Sequence, residues 1–250
     1  MSASAPLAIV VIAAGKGTRM RSPLAKVLHP LAGRPLVTHV LDAAVSLQPQ
    51  HTVVIVGHQA EAVRQVCAPY GVTCVLQEPQ LGTGHAVAQA EPVLADFPGD
   101  VVVLYGDVPL LQPATLRTLC DTHQRQQATL TVLTAHLDPP TGYGRIVRDS
   151  AGRIARIVEE RDASEAERAL HEINSGVYCL KASFLFPALH RVGQRNAQGE
   201  QYLTDVVAIA VAERQHVADL AVTDTHEVCG VNTPDELAQL NTLLQQRQPS

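Results

Sequence analysis

An unbroken apolar run, Leu7–Ile12, opens directly onto a glycine-bearing loop, and this pairing restricts the fold more than any other feature of the chain. A strand with apolar side chains on both faces belongs inside a parallel sheet covered by helices on each side. The loop it feeds, IAAGKGTRM (Ile12–Met20), combines two small residues with Gly15 and Gly17 and adds Lys16 and Arg19. Such a loop leaves backbone N–H groups free to wrap a polyphosphate, with cations alongside. It is not a Walker A loop, which needs four residues between its glycines and then Lys-Ser/Thr. It is not a dinucleotide fingerprint either, because no third glycine follows at the required offset.

The rest of the first half continues that pattern. Apolar runs at Leu7–Ala13, Thr52–Val56, Val101–Tyr105 and Leu130–Leu133 read as strands. Helical periodicity appears at Leu36–Val45, Glu61–Cys67, His85–Leu94 and Ala114–Gln124. The alternation predicts an open, mostly parallel α/β sheet with helices on both faces, ligands lying along the carboxyl ends of its strands. Turn residues Pro139, Pro140, Gly142 and Gly144 then lead into Arg145–Val147, a hairpin entry. Ser164 and Glu167 have capping-box spacing, Gly176–Leu180 reads as a strand, and Tyr202–Glu213 as a helix. Thr233-Pro234-Asp235-Glu236 is a helix start. The expectation is one domain: a nucleotide-binding half (1–135), a β-rich half (136–232) and a closing helix (233–250).

Composition excludes several classes. The 250 residues are 46% hydrophobic but only 3% aromatic, so the core is aliphatic, as parallel sheets are. A net charge of −5 argues against a nucleic-acid binder. Cys67, Cys74, Cys120, Cys179 and Cys229 are scattered without a C-x-x-C pair, and the eleven histidines show no ligand spacing. This argues against a disulfide framework or zinc site and for a reducing cytoplasm. No stretch is long enough to span a bilayer, and residues 1–11 lack a signal-peptide pattern, so no membrane partner is expected.

Four constellations can carry chemistry. Lys26, just past the glycine loop, is either an ordinary solvated lysine or a phosphate ligand. QEPQLGTG (Gln77–Gly84) is either a polar turn before a helix or a base-reading loop, in which Gln77 or Gln80 offers paired donor and acceptor groups. Asp107 follows the apolar strand VVVLY, where open sheets bind ligands; a carboxylate there suits Mg²⁺, or caps the turn before Pro109. Gly144, Glu159, Asn174 and Asn232 form a polar set able to bond hydroxyls or, singly, to serve as surface and turn residues.

The order and wording of IAAGKGTRM, KVLHPLAGRP, QLGTGHA, LYGDVPLL, PTGYGRI, VEERDA, EINSGVY, NAQGEQYLTD and GVN, from residue 12 to 232, resemble the pyrophosphorylase domain of bacterial N-acetylglucosamine-1-phosphate uridyltransferases. The glycine loop alone indicates only the wider sugar-nucleotidyltransferase superfamily. The resemblance implies a Rossmann-like, mostly parallel mixed sheet of the nucleotide-diphospho-sugar transferase type with a small β-rich sugar-binding lobe. It implies Mg²⁺-dependent transfer of uridylyl from UTP to N-acetylglucosamine 1-phosphate. By the same resemblance Ile12, Ala13, Ala14 and Gly15 line the nucleotide, with Gln77, Gly82 and Thr83 near uracil and ribose. Arg19 and Lys26 contact phosphates. Tyr105 and Gly106 border the sugar, Gly144, Glu159 and Asn174 bind its polar groups, and Asp107 and Asn232 hold the metal.

Three features depart from that family. Its members usually continue into a left-handed β-helix acetyltransferase, whereas this sequence ends at Ser250 without hexapeptide repeats, so acetyl transfer is not expected and a monomer is preferred. The sequence is that of either a truncated bifunctional enzyme or a monofunctional one. Ala25 stands where the family usually has proline, which is expected to loosen the lysine's loop. The segment TPDELAQL is closer to other sugar nucleotidyltransferases. Two further readings follow: transfer to another hexose 1-phosphate or from dTTP, and a non-catalytic nucleotide-sugar-binding subunit.

Overall fold

The computed structural model describes residues 5–247; residues 1–4, and 248–250 of the expected closing segment, lie outside it. Strand β1 (Leu7–Ala13) is the apolar run read from sequence. A two-stranded ribbon, β2 (Pro30–Leu31) and β3 (Arg34–Pro35), leads into helix α1 (Leu36–Val45). Then come β4 (His51–Val56), α2 (Ala60–Cys67), β5 (Thr73–Leu76), α3 (Thr83–Ala88), α4 (Glu91–Leu94), β6 (Asp100–Tyr105), α5 (Pro113–Arg125) and β7 (Leu130–His136). The second half supplies β8 (Arg145–Arg148), β9 (Ile154–Val158), α6 (Glu165–Arg168), β10 (Glu172–Lys181), α7 (Ala182–Leu189), α8 (Asp205–Ala212), β11 (Val217–Ala221) and α9 (Pro234–Arg247).

The main sheet runs β11-β7-β10-β6-β1-β4-β5, with the β8–β9 hairpin attached to β10. β6, β1, β4 and β5 pair in parallel, as do β7 and β11; between these two groups β10 runs antiparallel to β6 and β7. β1 sits between β4 and β6 and is buried on both faces. Ala8 and Val10 face one aliphatic cluster with α3, α7 and α8, and Ile9 and Val11 face a second with α1, α2 and α5. The alternating side chains of one strand thus nucleate two cores, which is why its sequence reads as a continuous apolar run.

Where the elements differ from the sequence reading, the cause is local. The helix expected over His85–Leu94 is two short ones, since Pro92 has no N–H and its ring crowds the carbonyl four residues earlier. The helix expected from Tyr202 starts at Asp205, because residues 201–203 bond the loop before α3 instead: Gln201 N–H to Leu81 O (2.7 Å), Gly84 N–H to Gln201 O (2.7 Å) and Leu203 N–H to Thr83 Oγ1 (2.9 Å). β5, β9 and β11 carried too little apolar signal; β11 places Asp219 at its centre, against Arg148 of β8. The Ser164–Glu167 capping box forms in both directions.

β10 begins at Glu172 and bulges. Asn174 faces Thr134 while Tyr178 faces Val132, so β10 holds two more residues than β7 over that interval. Ser175 Oγ donates to Leu133 O (2.6 Å) and Asn174 Oδ1 accepts the Gly176 N–H (3.0 Å), stitching the bulge with side chains. Gly176 has φ +83°, and a Cβ there would sit 2.8 Å from Tyr105 Cε2, so the bulge makes room for the ring that ends β6. Gly176→Ala is expected to destabilise the fold by about 2 kcal/mol or more, from left-handed backbone strain plus overpacking. A urea midpoint within experimental scatter of the wild type would contradict this.

Candidate active site

The glycine loop leaves β1 and packs across the carboxyl ends of β4 and β6. Ile12 O accepts the Gly106 N–H (2.9 Å), tying the loop's start to the end of β6. Ala14 O accepts from His58 N–H (3.1 Å) and Gln80 Nε2 (2.6 Å), tying it to the segments after β4 and β5. Gly15, Lys16 and Arg19 are exposed around the resulting rim. Gly17 is in the left-handed region (φ +64°), and a Cβ on it would lie 2.5 Å from Lys26 Cβ. That glycine lets the loop fold back onto the lysine.

Lys26 occupies the centre of the constellation. Its ammonium pairs with the carboxylate of Asp107 and lies 3.2 Å from Asn232 Oδ1, which also accepts from Arg19 Nη2 at 2.8 Å. Four residues from three separate segments therefore converge on one cation position between two oxygens. The support is equally specific. Val231 N–H bonds Asp107 O (2.9 Å), so the Asp107 turn and the Asn232 segment are pinned by their backbones. Glu236 Oε2 accepts the N–H groups of Asn232 (2.6 Å) and Thr233 (2.9 Å), and Thr233 Oγ1 accepts the Glu236 N–H (3.2 Å). The box that caps α9 thus also fixes Asn232.

On one side of this centre Lys16, Gly57, His58, Gln77 and Gln80 line a cavity of about 540 Å³. Gln77, 5% exposed, donates through Nε2 to Gly82 O (2.9 Å), which sets its amide orientation because a carbonyl only accepts. Burial pushes the neighbouring His85 down, keeping its imidazole neutral. On the other side Tyr105, half-buried at the end of β6, links several groups. Burial raises its phenol well above the usual range, with the charges of Glu159 and Asp107 adding and a Thr83 hydrogen bond opposing. Glu159 is also raised, first by burial and then by Asp162, Asp205 and Glu200, against a bond from Thr204 Oγ1 (3.0 Å). Gly144 O accepts the Asn174 N–H (2.9 Å), and a Cβ on Gly144 would come 3.6 Å from Glu159 Oε2. Gly144, Glu159 and Asn174, on separate elements, therefore share one wall.

Comparison with known proteins fixes the family. Residues 9–177 match the MobA-like NTP transferase domain. The chain belongs to the MobA-like NTP transferase family. Its relatives include the bifunctional protein GlmU of Pelobacter propionicus, 50% identical over 242 residues, covering 96% of this chain and 53% of that protein. GlmU of Desulfotalea psychrophila is 48% identical over 242 residues (97% and 71%), and that of Brevibacillus brevis 52% over 238 residues (95% and 51%). The chain spans about half the length of most of these curated relatives. Among solved structures, a UDP-glucose pyrophosphorylase complexed with UDP-glucose has the same fold, at TM-score 0.77 and 15% identity, over 97% of this chain and 100% of that one.

In this NTP transferase the sequence-derived residues fall along one edge of the sheet, but their immediate partners were not all foreseen. Asn174 and Thr83 already hold backbone N–H groups, so each has a structural duty. Gln59, Thr204 and Tyr143 were not singled out, and Glu236 was read only as part of the helix start that also fixes Asn232. Tyr143 carried a signal, inside PTGYGRI; its hydroxyl lies 3.3 Å from Gly230 N and burial pushes it up to about 12.

Gln59 overturns the expectation that Ala25 loosens the lysine's loop. Ala25 is fully buried with φ −56°, and its N–H donates to Gln59 Oε1 at 2.7 Å, while Gln59 Nε2 donates to Pro23 O at 3.1 Å. A proline would supply the same φ but no N–H; here the amide is used to tie the loop to the segment after β4. Gln59→Ala is expected to cost about 1–2 kcal/mol, the penalty of an orphaned buried donor. The double variant Gln59→Ala/Ala25→Pro should recover most of that loss in chemical denaturation, since proline at this φ needs no acceptor. No recovery would mean that Gln59 acts elsewhere.

Proposed function

We propose that this NTP transferase joins UTP and N-acetylglucosamine 1-phosphate to give UDP-N-acetylglucosamine and diphosphate. The observation that carries the reading is the Lys26 ammonium held between the Asp107 carboxylate and the Asn232 amide oxygen, with Arg19 on the same oxygen. Both substrates are polyanions, so they repel until cations sit between them. The donor set fits a hard divalent ion, because a carboxylate and an amide oxygen converge where one cation already lies. Mg²⁺, when held by Asp107 and Asn232, supplies charge neutralisation at the α-phosphate.

The chain's own residues do the remaining work. The sugar-phosphate oxygen attacks the α-phosphorus in line, and the bond from that phosphorus to its β-bridging oxygen breaks, the electron pair leaving with diphosphate. Lys26 then moves from Asp107 to the equatorial α-phosphate oxygens, where charge accumulates, and Arg19 meets the departing diphosphate. Such transfer needs positioning and electrostatics rather than a covalent intermediate. Gln77, with its amide nitrogen engaged by Gly82, presents Oε1 to a uracil N3–H, and Gly82 and Thr83 flank the ribose. Ile12, Ala13, Ala14 and Gly15 form the floor beneath the nucleotide. Tyr105 and Gly106 border the sugar, while Gly144, Glu159 and Asn174 receive its hydroxyls and amide.

The GlmU relatives at about half identity support the substrate pair. No helix among the described residues is long and apolar enough to cross a membrane. The proposal takes the enzyme as cytoplasmic and monomeric. Diphosphate release from UTP and N-acetylglucosamine 1-phosphate with Mg²⁺ tests the reading, with glucose 1-phosphate and dTTP as the competing substrates. Release should stop with EDTA, and Asp107→Ala and Lys26→Ala should each lower turnover about a hundredfold or more. Near-wild-type rates in both variants would remove the mechanism. Preference for another sugar phosphate would keep the mechanism and change the substrate.

A further inference from the structure

The end of the sheet opposite the glycine loop carries a second convergence of chemistry that nucleotidyl transfer does not use. Asp100 opens β6, Cys179 lies near the end of antiparallel β10, and His123 comes from α5, which covers that face. Donor atoms of these three residues lie within 4.8 Å of one another, and all three residues are buried. Cys120 precedes His123 by one helical turn, and its thiol neighbours that of Cys179.

His123 is the informative member. Its Nδ1 lies 2.9 Å from Thr131 Oγ1, which fixes the ring. Its Nε2 has no hydrogen-bond partner, although the residue is 1% exposed and Asp100 Oδ1 is 3.4 Å away. An imidazole nitrogen and a carboxylate oxygen buried side by side without a hydrogen bond form a costly arrangement. It is also the spacing of two ligands on one ion: with metal–N and metal–O bonds of about 2.1 Å, a tetrahedral zinc centre sets them about 3.4 Å apart. A ligating histidine usually has its other nitrogen held by an outer partner, the place Thr131 fills.

The geometry points to a structural site for a thiophilic divalent cation such as Zn²⁺, bound by Asp100, His123 and Cys179, with Cys120 rotating in as the fourth donor. Thiolate and imidazole ligands favour zinc over the hard ions suited to Asp107 and Asn232. Binding converts two thiols to thiolates and releases two protons to solvent, with no redox change. Entry is through Cys120, which lines an open cavity of about 620 Å³ with Leu7, Gln50 and Arg117. Sequence spacing argued against a zinc site because the donors come from three elements that only folding brings together.

The test is Co²⁺ titration of the full chain after chelator treatment and desalting, in a Cys67→Ser/Cys74→Ser background that removes the other close thiol pair. One equivalent should produce a thiolate-to-cobalt absorption band in the near ultraviolet, bleached stoichiometrically by Zn²⁺. Cys179→Ser and His123→Gln should abolish the band, and Thr131→Val should weaken binding about 10–100-fold. If Cys179→Ser fails to fold by circular dichroism, Cys120→Ser, which alters a half-buried position, serves in its place and should lower affinity at least about tenfold. No band in that background, or a band undiminished in folded Cys179→Ser or Cys120→Ser, overturns the proposal.

Discussion

The ion pair between Lys26 and Asp107 is the contact on which the site's geometry rests. It joins the loop that follows β1 to the turn that follows β6, two segments separated by the width of one strand pair and by eighty residues of chain. Around it the backbone is arranged to keep both partners in place. Gly17 permits the loop to return, Gln59 holds Ala25, and Val231 N–H anchors the Asn232 segment to Asp107. A partly exposed pair of this kind adds little net stability, because desolvation offsets most of the Coulomb attraction. Its value is positional: the free chain already holds a cation where the proposed reaction needs one.

On the proposed reading, that arrangement also lets one site serve two polyanions. Asp107 and Asn232 offer oxygen, Lys26 and Arg19 offer positive charge, and the four are close enough that moving Lys26 off Asp107 exposes both a cation-binding pair and a phosphate-binding ammonium. The flanking walls are built differently. The cavity beside Gln77 is open and rimmed by backbone and amide groups, whereas on the other wall Gly144 and Asn174 are buried and burial raises the half-buried Glu159 carboxyl. Recognition of a flat base and of a hydroxyl-rich sugar suits that asymmetry.

Much of this was legible in sequence, for physical reasons that can be named. β1 was readable to the residue because burial on both faces leaves no polar positions, and the α9 start because its capping box is a local interaction. The motif order carried the fold type and family. What could not be read depends on contacts between distant segments. The antiparallel sense of β10 is set by its pairing with β6 and β7, its bulge around Gly176 packs against Tyr105, and the role of Gln59 exists only because Ala25 lies against it. Residues 202 and 203 read as helix from their own sequence, but the chain there is held by bonds to the start of α3 and the loop before it. The Asp100–His123–Cys179 cluster was invisible for the same reason.

The most direct test of the account is Mn²⁺ titration of the nucleotide-free protein, read by water-proton relaxation, in the wild type and Lys26→Met. Removing a like charge about 4 Å from a bound cation relieves up to ~4 kcal/mol at an effective dielectric of 20. Binding is therefore expected to be at least about tenfold tighter in Lys26→Met, and to be lost in both backgrounds on Asp107→Asn. Equal or weaker binding in Lys26→Met would show that the lysine does not hold the cation position, and the central claim would fail.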